Sequence, residues 1–158
     1  AVMPTNLYGP GDNYNLENSH VLPALINKIH EAKLKNNKKV IIWGSGKPMR
    51  EFLHVDDLAN CLIFLLELNE EKFLSLTHKN ICPLINIGTG YDISIINLAK
   101  EIASIIDFKG EFVFDTNMPD GTFQKCLDVS RIKSLGWTHK ISLKEGLRQT
   151  YEDFKKNI

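Results

Sequence analysis

The run Val40-Ile41-Ile42-Trp43-Gly44-Ser45-Gly46-Lys47-Pro48-Met49-Arg50-Glu51-Phe52-Leu53-His54-Val55-Asp56-Asp57 sets the class of this chain. Four β-favouring residues close at a Gly-Ser-Gly turn, and Arg50 to Val55 is extended again, which predicts a hairpin-like pair of strands. Asp56-Asp57 then opens a helix on which Leu58, Cys61, Leu62, Leu65 and Leu68 recur at helical spacing, marking one buried face. Capping and the helix dipole account for the two aspartates.

Upstream, Ala1-Val2-Met3-Pro4-Thr5 reads as a strand and Asn6 to Asn13, rich in Gly, Pro, Asn and Asp, as the loop leaving it. Asn18-Ser19 signals a helix from about 20 to 34, with Pro23 tolerated in its first turn. The lysines from Lys33 to Lys39 read as a solvated helix end rather than an anion site. Downstream, Asn69 to Asn80 reads as a surface loop, and Leu84 to Ile87 as a strand buried on both faces and closed by Gly88-Thr89-Gly90. Ser94 starts a helix with Ile95, Leu98, Ala99, Ile102 and Ile106 inward, and Glu111 to Phe114 is a strand. Met118 to Thr122 is a turn-forming loop, and Val129 to Leu135 a short helix. Ser142 to Glu145 is a capping box opening a final helix with Leu143, Leu147, Tyr151 and Phe154 on one face. Strands alternating with helices make the class α/β.

The 158 residues, 43% hydrophobic and 24% charged, suffice for a globular core and exclude disorder and collagen-like structure. A formal net charge of zero supplies no field for a polyanion, so nucleic acid is not an expected partner. No apolar run reaches membrane-span length and the start lacks signal-peptide features, so no membrane partner is expected and the cytoplasm is the expected location. Cys61, Cys82 and Cys126 form no C-x-x-C pair and read as reduced thiols. Residues 1 to 5 begin in mid-strand without an initiator Met, as in a piece of a longer chain.

No dinucleotide fingerprint is present: Gly9-Gly11, Gly44-Gly46 and Gly88-Gly90 are followed at the third position by Tyr14, Met49 and Ile93. A Walker A loop is missing too, since Pro48 follows Gly46-Lys47. What remains is a series of polar loop signals. Asn18 to Leu25, Trp43 to Gly46 with Pro48 to Asp57, and Pro119-Asp120-Gly121-Thr122 together resemble the extended short-chain dehydrogenase/reductase family, in its sugar-nucleotide-modifying branch. Within it, the blocks are most similar to the GDP-L-fucose synthase group, nearly end to end.

The resemblance implies the C-terminal part of such an enzyme: an incomplete Rossmann-type sheet plus a small α/β substrate-binding lobe. Residues 1–18 and 50–92 would end the NADP-binding domain, and 19–49 and 93–158 would belong mainly to the lobe. The implied reaction converts GDP-4-keto-6-deoxy-D-mannose to GDP-L-fucose, inverting the centres beside the ketone and reducing the ketone with NADPH. The glycine-rich unit, the Tyr-x-x-x-Lys pair and the epimerisation cysteine that this group uses are not among these residues. Tyr8 and Tyr91 lack the lysine, and Tyr151, with Lys155, sits where its ring packs. A fragment lacking them is expected to show no reductase turnover alone, and the whole enzyme is expected to be a homodimer. Another sugar-nucleotide epimerase or dehydratase, a noncatalytic binding module and a structural domain are the alternatives.

Each site residue has a functional and an ordinary reading. His20 is an imidazole able to exchange protons near neutral pH, or a capping or surface residue; the resemblance makes it the general acid of epimerisation and a cofactor contact. Asn6 and Leu7 lie at a strand end, where open α/β sheets bind ligands, or simply turn the chain; by resemblance Pro4, Thr5, Asn6 and Leu7 line the NADPH site. Arg50 carries a fork suited to a diphosphate and Lys28 a point charge, unless both are solvated. Trp43 lies against the nucleotide or in the core. Asp120 shapes a turn or accepts from the ligand. The resemblance makes Lys28, Trp43, Arg50, Asp120 and Lys125 substrate contacts. His54, Asp56 and Asp57 invite a metal, but His30, His78 and His139 are not spaced to complete a set, so none is assigned.

Overall fold

A computed structural model describes residues 1–77 and 82–157. Parallel pairing dominates it. Strand β1 (Val2–Pro4) runs beside β5 (Ile85–Ile87), β2 (Asn6–Tyr8) beside β4 (Met49–His54), and β3 (Lys39–Trp43) beside β7 (Glu111–Asp115). β4 also takes β6 (Asp92–Ser94) antiparallel and β8 (Gln124–Lys125) parallel.

The expected hairpin does not form: β3 pairs with β7, and β4 with β2. The turn between them has other partners. The carbonyls of Gly46 and Pro48 accept the Ile96 and Ile95 amides at 3.0 and 3.1 Å, capping helix α4 (Ile95–Ile106) and directing β4 away from β3. Asn6 to Tyr8, expected as loop, extends as β2 because β4 offers it a parallel edge.

One core lies under α1 (Val21–Leu34), α4 and α6 (Leu143–Lys156), with Leu22, Ile26, Ile29, Leu98, Ile102 and Leu147 buried together. Ser94 and Ser142 cap the latter two helices through the Asn97 and Glu145 amides, as their sequences predict. Leu147 and Phe154 of the final helix are buried, with Leu143 and Tyr151 packed against them. The Tyr151 hydroxyl meets Nδ1 of buried His30 at 2.9 Å, consistent with a packing role for that ring.

A second cluster joins Leu53, Cys61, Ile85 and Ile87 to Ile132 of α5 (Ser130–Ser134) and Trp137. It covers helix α2 (Val55–Leu66) only in part. Cys61 is buried and Leu58, Leu65 and Leu68 pack against the cluster, but Leu62 is 37% exposed, so the single buried face is incomplete. β5 is not buried on both faces either: Asn86 turns outward, its amide donating to the Asp128 carbonyl at 3.0 Å, and Leu84 precedes the strand, partly exposed. The expected loop after α2 contains helix α3 (Glu70–Thr77), where Asn69 accepts the Lys72 amide and Glu70-Glu71 complement the dipole. Residues 78–80 of that loop lie outside the described residues. No helix among the described residues is long and apolar enough to cross a membrane.

Candidate functional site

Where β1 gives way to β2, beside the first residues of β4 and the start of α1, a hollow of 630 Å³ opens, lined by Thr5, Asn6, Leu7, Asp12, His20 and Arg50 among others. Residues 5–7 follow the carboxyl end of β1, the kind of edge where open α/β sheets collect ligands. Two of the expected contacts are committed internally: Asn6 Nδ2 and Thr5 Oγ1 both donate to the Glu51 carbonyl, at 2.8 and 3.3 Å. This segment therefore offers the hollow its backbone and the partly exposed Leu7 side chain. Pro4 lies in β1 opposite Ile87, outside the lining.

His20 occupies the N-cap position of α1, yet its side chain makes no capping bond and is exposed. The capping alternative therefore falls, and the ring is free to turn. Arg50 enters the same hollow, its Nη1 donating to the Met49 carbonyl at 2.7 Å. A side chain at Gly121 would start 3.1 Å from Arg50 Nη2, so glycine there lets the Pro119–Thr122 loop approach the fork. Lys125 stands opposite Arg50 in register on β8, exposed.

Lys28 and Trp43 meet: the ammonium lies 4.5 Å from the indole centroid. Trp43 is 55% exposed at its strand end, so it is not a core residue. Burial pushes the Lys28 ammonium below its ordinary pKa. Asp120 is engaged at both oxygens, Oδ1 accepting the Ser45 amide at 2.8 Å and Oδ2 the Ser45 hydroxyl at 2.6 Å. These bonds hold its carboxyl below the usual range. The structure thus brings His20, Arg50 and the Thr5–Leu7 segment around one hollow. Lys28, Trp43, Asp120 and Lys125 lie outside its lining, with Asp120 joined to it through Gly121 beside Arg50.

Gly44 makes this junction possible, with φ at +74° and Asp120 Oδ1 lying where a Cβ would sit. A Gly44→Ala variant is expected to lose about 1 kcal/mol or more, from strained backbone and a displaced carboxylate, read as a lower urea midpoint.

Capping does not explain Asp57. His54 caps α2, its Nδ1 accepting the Asp56 amide, whereas buried Asp57 accepts the Lys140 and Ile141 amides, each at 2.9 Å. Asp57 fastens the segment before α6 to α2 because two neighbouring amides there have no strand partner. The described residues contain no group of three metal-ligating side chains, and His78 lies outside them.

Residues 1–81, just over half of the chain, match the NAD dependent epimerase/dehydratase family. The chain belongs to that family. Within it, the chain is 52% identical over 157 residues to a GDP-L-fucose synthase of Escherichia coli, covering 99% of this chain and 49% of that protein. Two solved structures superpose closely. A GDP-mannoheptose C4 reductase from Campylobacter jejuni with NADP bound is 38% identical with a TM-score of 0.82, over 98% of this chain and 52% of that one. A GDP-L-fucose synthetase from Naegleria fowleri bound to NADP is 32% identical at a TM-score of 0.82, over 99% and 46%. The chain spans about half the length of the curated relatives it matches. The Rossmann-type α/β class is thereby that of the family.

Two residues in or beside this hollow escaped sequence reasoning. Glu51 sat inside a quoted motif without a role, yet its carboxylate is fully buried and accepts the Gly90 and Leu127 amides at 2.7 and 2.8 Å. Asp12 looked like one more turn residue, and only the fold shows that it faces the hollow.

Proposed function

We propose that this chain is the GDP-sugar-binding part of an NADPH-dependent epimerase/reductase that converts GDP-4-keto-6-deoxy-D-mannose to GDP-L-fucose. The observation that carries the reading is the hollow shared by His20 and Arg50 beside the carboxyl end of β1, in a chain whose relatives are named for GDP-sugar chemistry. Residues 1–18 and 50–92 would complete the cofactor domain and 19–49 with 93–158 the substrate lobe. Leu53, Cys61, Ile85 and Ile87 cluster apart from the α1, α4 and α6 core as this division expects, but Val129, Ile132, Leu135 and Trp137 join them, and Tyr8 and Phe52 join that core, so the two parts interleave.

Arg50 pairs its fork with the diphosphate, with Lys28 and Lys125 adding positive charge and Trp43 an exposed aromatic face. Asp120, already held by Ser45, keeps free lone pairs for a ribose or guanine donor. In epimerisation a base removes the proton from a carbon beside the ketone, charge passes to the ketone oxygen, and an acid returns a proton to the opposite face. His20 is that acid. The base, by resemblance a cysteine, lies outside these residues.

The backbone and apolar Leu7 of the Thr5–Leu7 segment fit the nicotinamide end of NADPH, while no glycine-rich phosphate cradle is found here. When bound, NADPH supplies the hydride that reduces the ketone. This chain's residues hold the cofactor and sugar side by side. We place the enzyme in the cytoplasm, as a homodimer.

Titration calorimetry tests the assignment. GDP is expected to bind more tightly than UDP, and Arg50→Ala to weaken GDP by roughly 10- to 100-fold, the loss of a charge-assisted pair. Equal affinity for GDP and UDP would contradict it and favour a structural domain. GDP binding by a full-length protein that lacks the tyrosine–lysine pair would favour a binding module.

A further inference from the structure

Asp12 carries an unexplained atom. Its Oδ1 accepts the Asn13 amide at 2.7 Å, but Oδ2 is buried without a hydrogen-bond partner. Leaving a buried acceptor unpaired is costly, more so for a charged one, so such an atom on a residue lining a cavity signals an absent donor.

The loop bearing Asp12 is fastened on both sides. The Gly11 amide donates to Asp153 Oδ2 at 2.8 Å, anchoring it to α6, and Asn27 Nδ2 of α1 donates to the Tyr14 carbonyl at 2.8 Å. The Tyr14 hydroxyl adds a bond of 3.2 Å to the Thr150 carbonyl. Asp12 is therefore held in place, whereas His20, across the same hollow, is exposed and unbonded. No ion pair joins the two as they stand. Burial pushes the Asp12 carboxyl up, while the Asn13 amide first, and His20 to a lesser extent, pull it back. Other charged or titratable groups around this loop are Tyr14 on the loop itself, Asp153 of α6 and Arg50 of β4.

We propose that Asp12 is the positioning residue for His20. With a sugar in the hollow, the imidazole turns inward and donates one ring N–H to Asp12 Oδ2. That bond fixes the tautomer and leaves the other nitrogen aimed at the carbon beside the ketone. The inference rests on His20 being the epimerisation acid, as proposed above.

Two measurements test it. The first is a carboxyl ¹³C NMR titration of the full enzyme carrying this chain, with GDP-L-fucose bound. His20→Gln, at an exposed side chain without bonds, is expected to move the Asp12 midpoint upward by removing the histidine's charge. An unmoved midpoint overturns the pairing. In the second, the enzyme carrying this chain is given GDP-4-keto-6-deoxy-D-mannose and the stereochemistry of the product is followed. Asp12→Asn is expected to lower the rate of inversion beside the ketone about 10- to 100-fold with GDP affinity unchanged, the usual effect of losing an orienting partner. Wild-type inversion by Asp12→Asn overturns the positioning role. Neither result depends on GDP selectivity, so failure of the functional reading, seen as equal GDP and UDP affinity, is distinguishable from failure of the pairing.

Discussion

Glu51→Ala is expected to destabilise the chain by roughly 2–5 kcal/mol, from two buried amide donors left unsatisfied at about 1–3 kcal/mol each. The Glu51 side chain is fully buried, and its carboxylate receives the Gly90 amide, the Leu127 amide and, more weakly at 3.4 Å, the Thr89 hydroxyl. Alanine leaves these donors without an acceptor in a space that water cannot easily enter. The loss is a large share of the roughly 5–15 kcal/mol that holds a typical domain folded. It should appear as a markedly lower urea midpoint with little change in slope. Glu51→Gln keeps one carbonyl oxygen but turns an NH₂ group toward an amide donor, so an intermediate loss is expected. An alanine variant with the wild-type midpoint would contradict the role assigned to this carboxylate. The same residue's carbonyl holds Thr5 and Asn6, so the variant should also loosen that edge of the hollow.

His20→Gln is expected to leave folding intact and to remove most epimerisation. Its side chain makes no bond in the structure, so stability should change by less than about 0.5 kcal/mol. General acid catalysis typically contributes 10²- to 10⁴-fold, so the rate of inversion should fall within that range while GDP affinity holds. Chromatographic analysis of product stereochemistry, set beside calorimetry with GDP, separates the two effects. A variant that loses GDP binding and inversion together would make His20 a binding residue instead.

The α1, α4 and α6 helices were legible because their apolar positions recur at helical spacing and their caps are local: Ser94 and Ser142 act within three residues. The pairing of β3 was not legible. Its partner β7 lies about seventy residues on, and the turn that resembles a hairpin instead gives its carbonyls to α4. Asp57 shows the same limit, since two aspartates before a helix read as caps whichever amides they reach. For the site, residue chemistry and motif order named His20, Arg50, Trp43 and Asp120. They could not show that Asp120 is spoken for by Ser45, that Trp43 carries Lys28, or that Asp12 lines His20's hollow and carries a buried, unpartnered oxygen. Those facts depend on loops meeting across long stretches of chain, which no local pattern encodes.

The proposed activity turns on proton exchange beside a ketone on a GDP-sugar. Incubating the full protein that carries this chain with GDP-4-keto-6-deoxy-D-mannose in D₂O without NADPH, and reading the recovered sugar by mass spectrometry, is expected to show deuterium at both carbons flanking the ketone. A sugar recovered without deuterium, from a protein that binds GDP normally, would rule the proposed activity out.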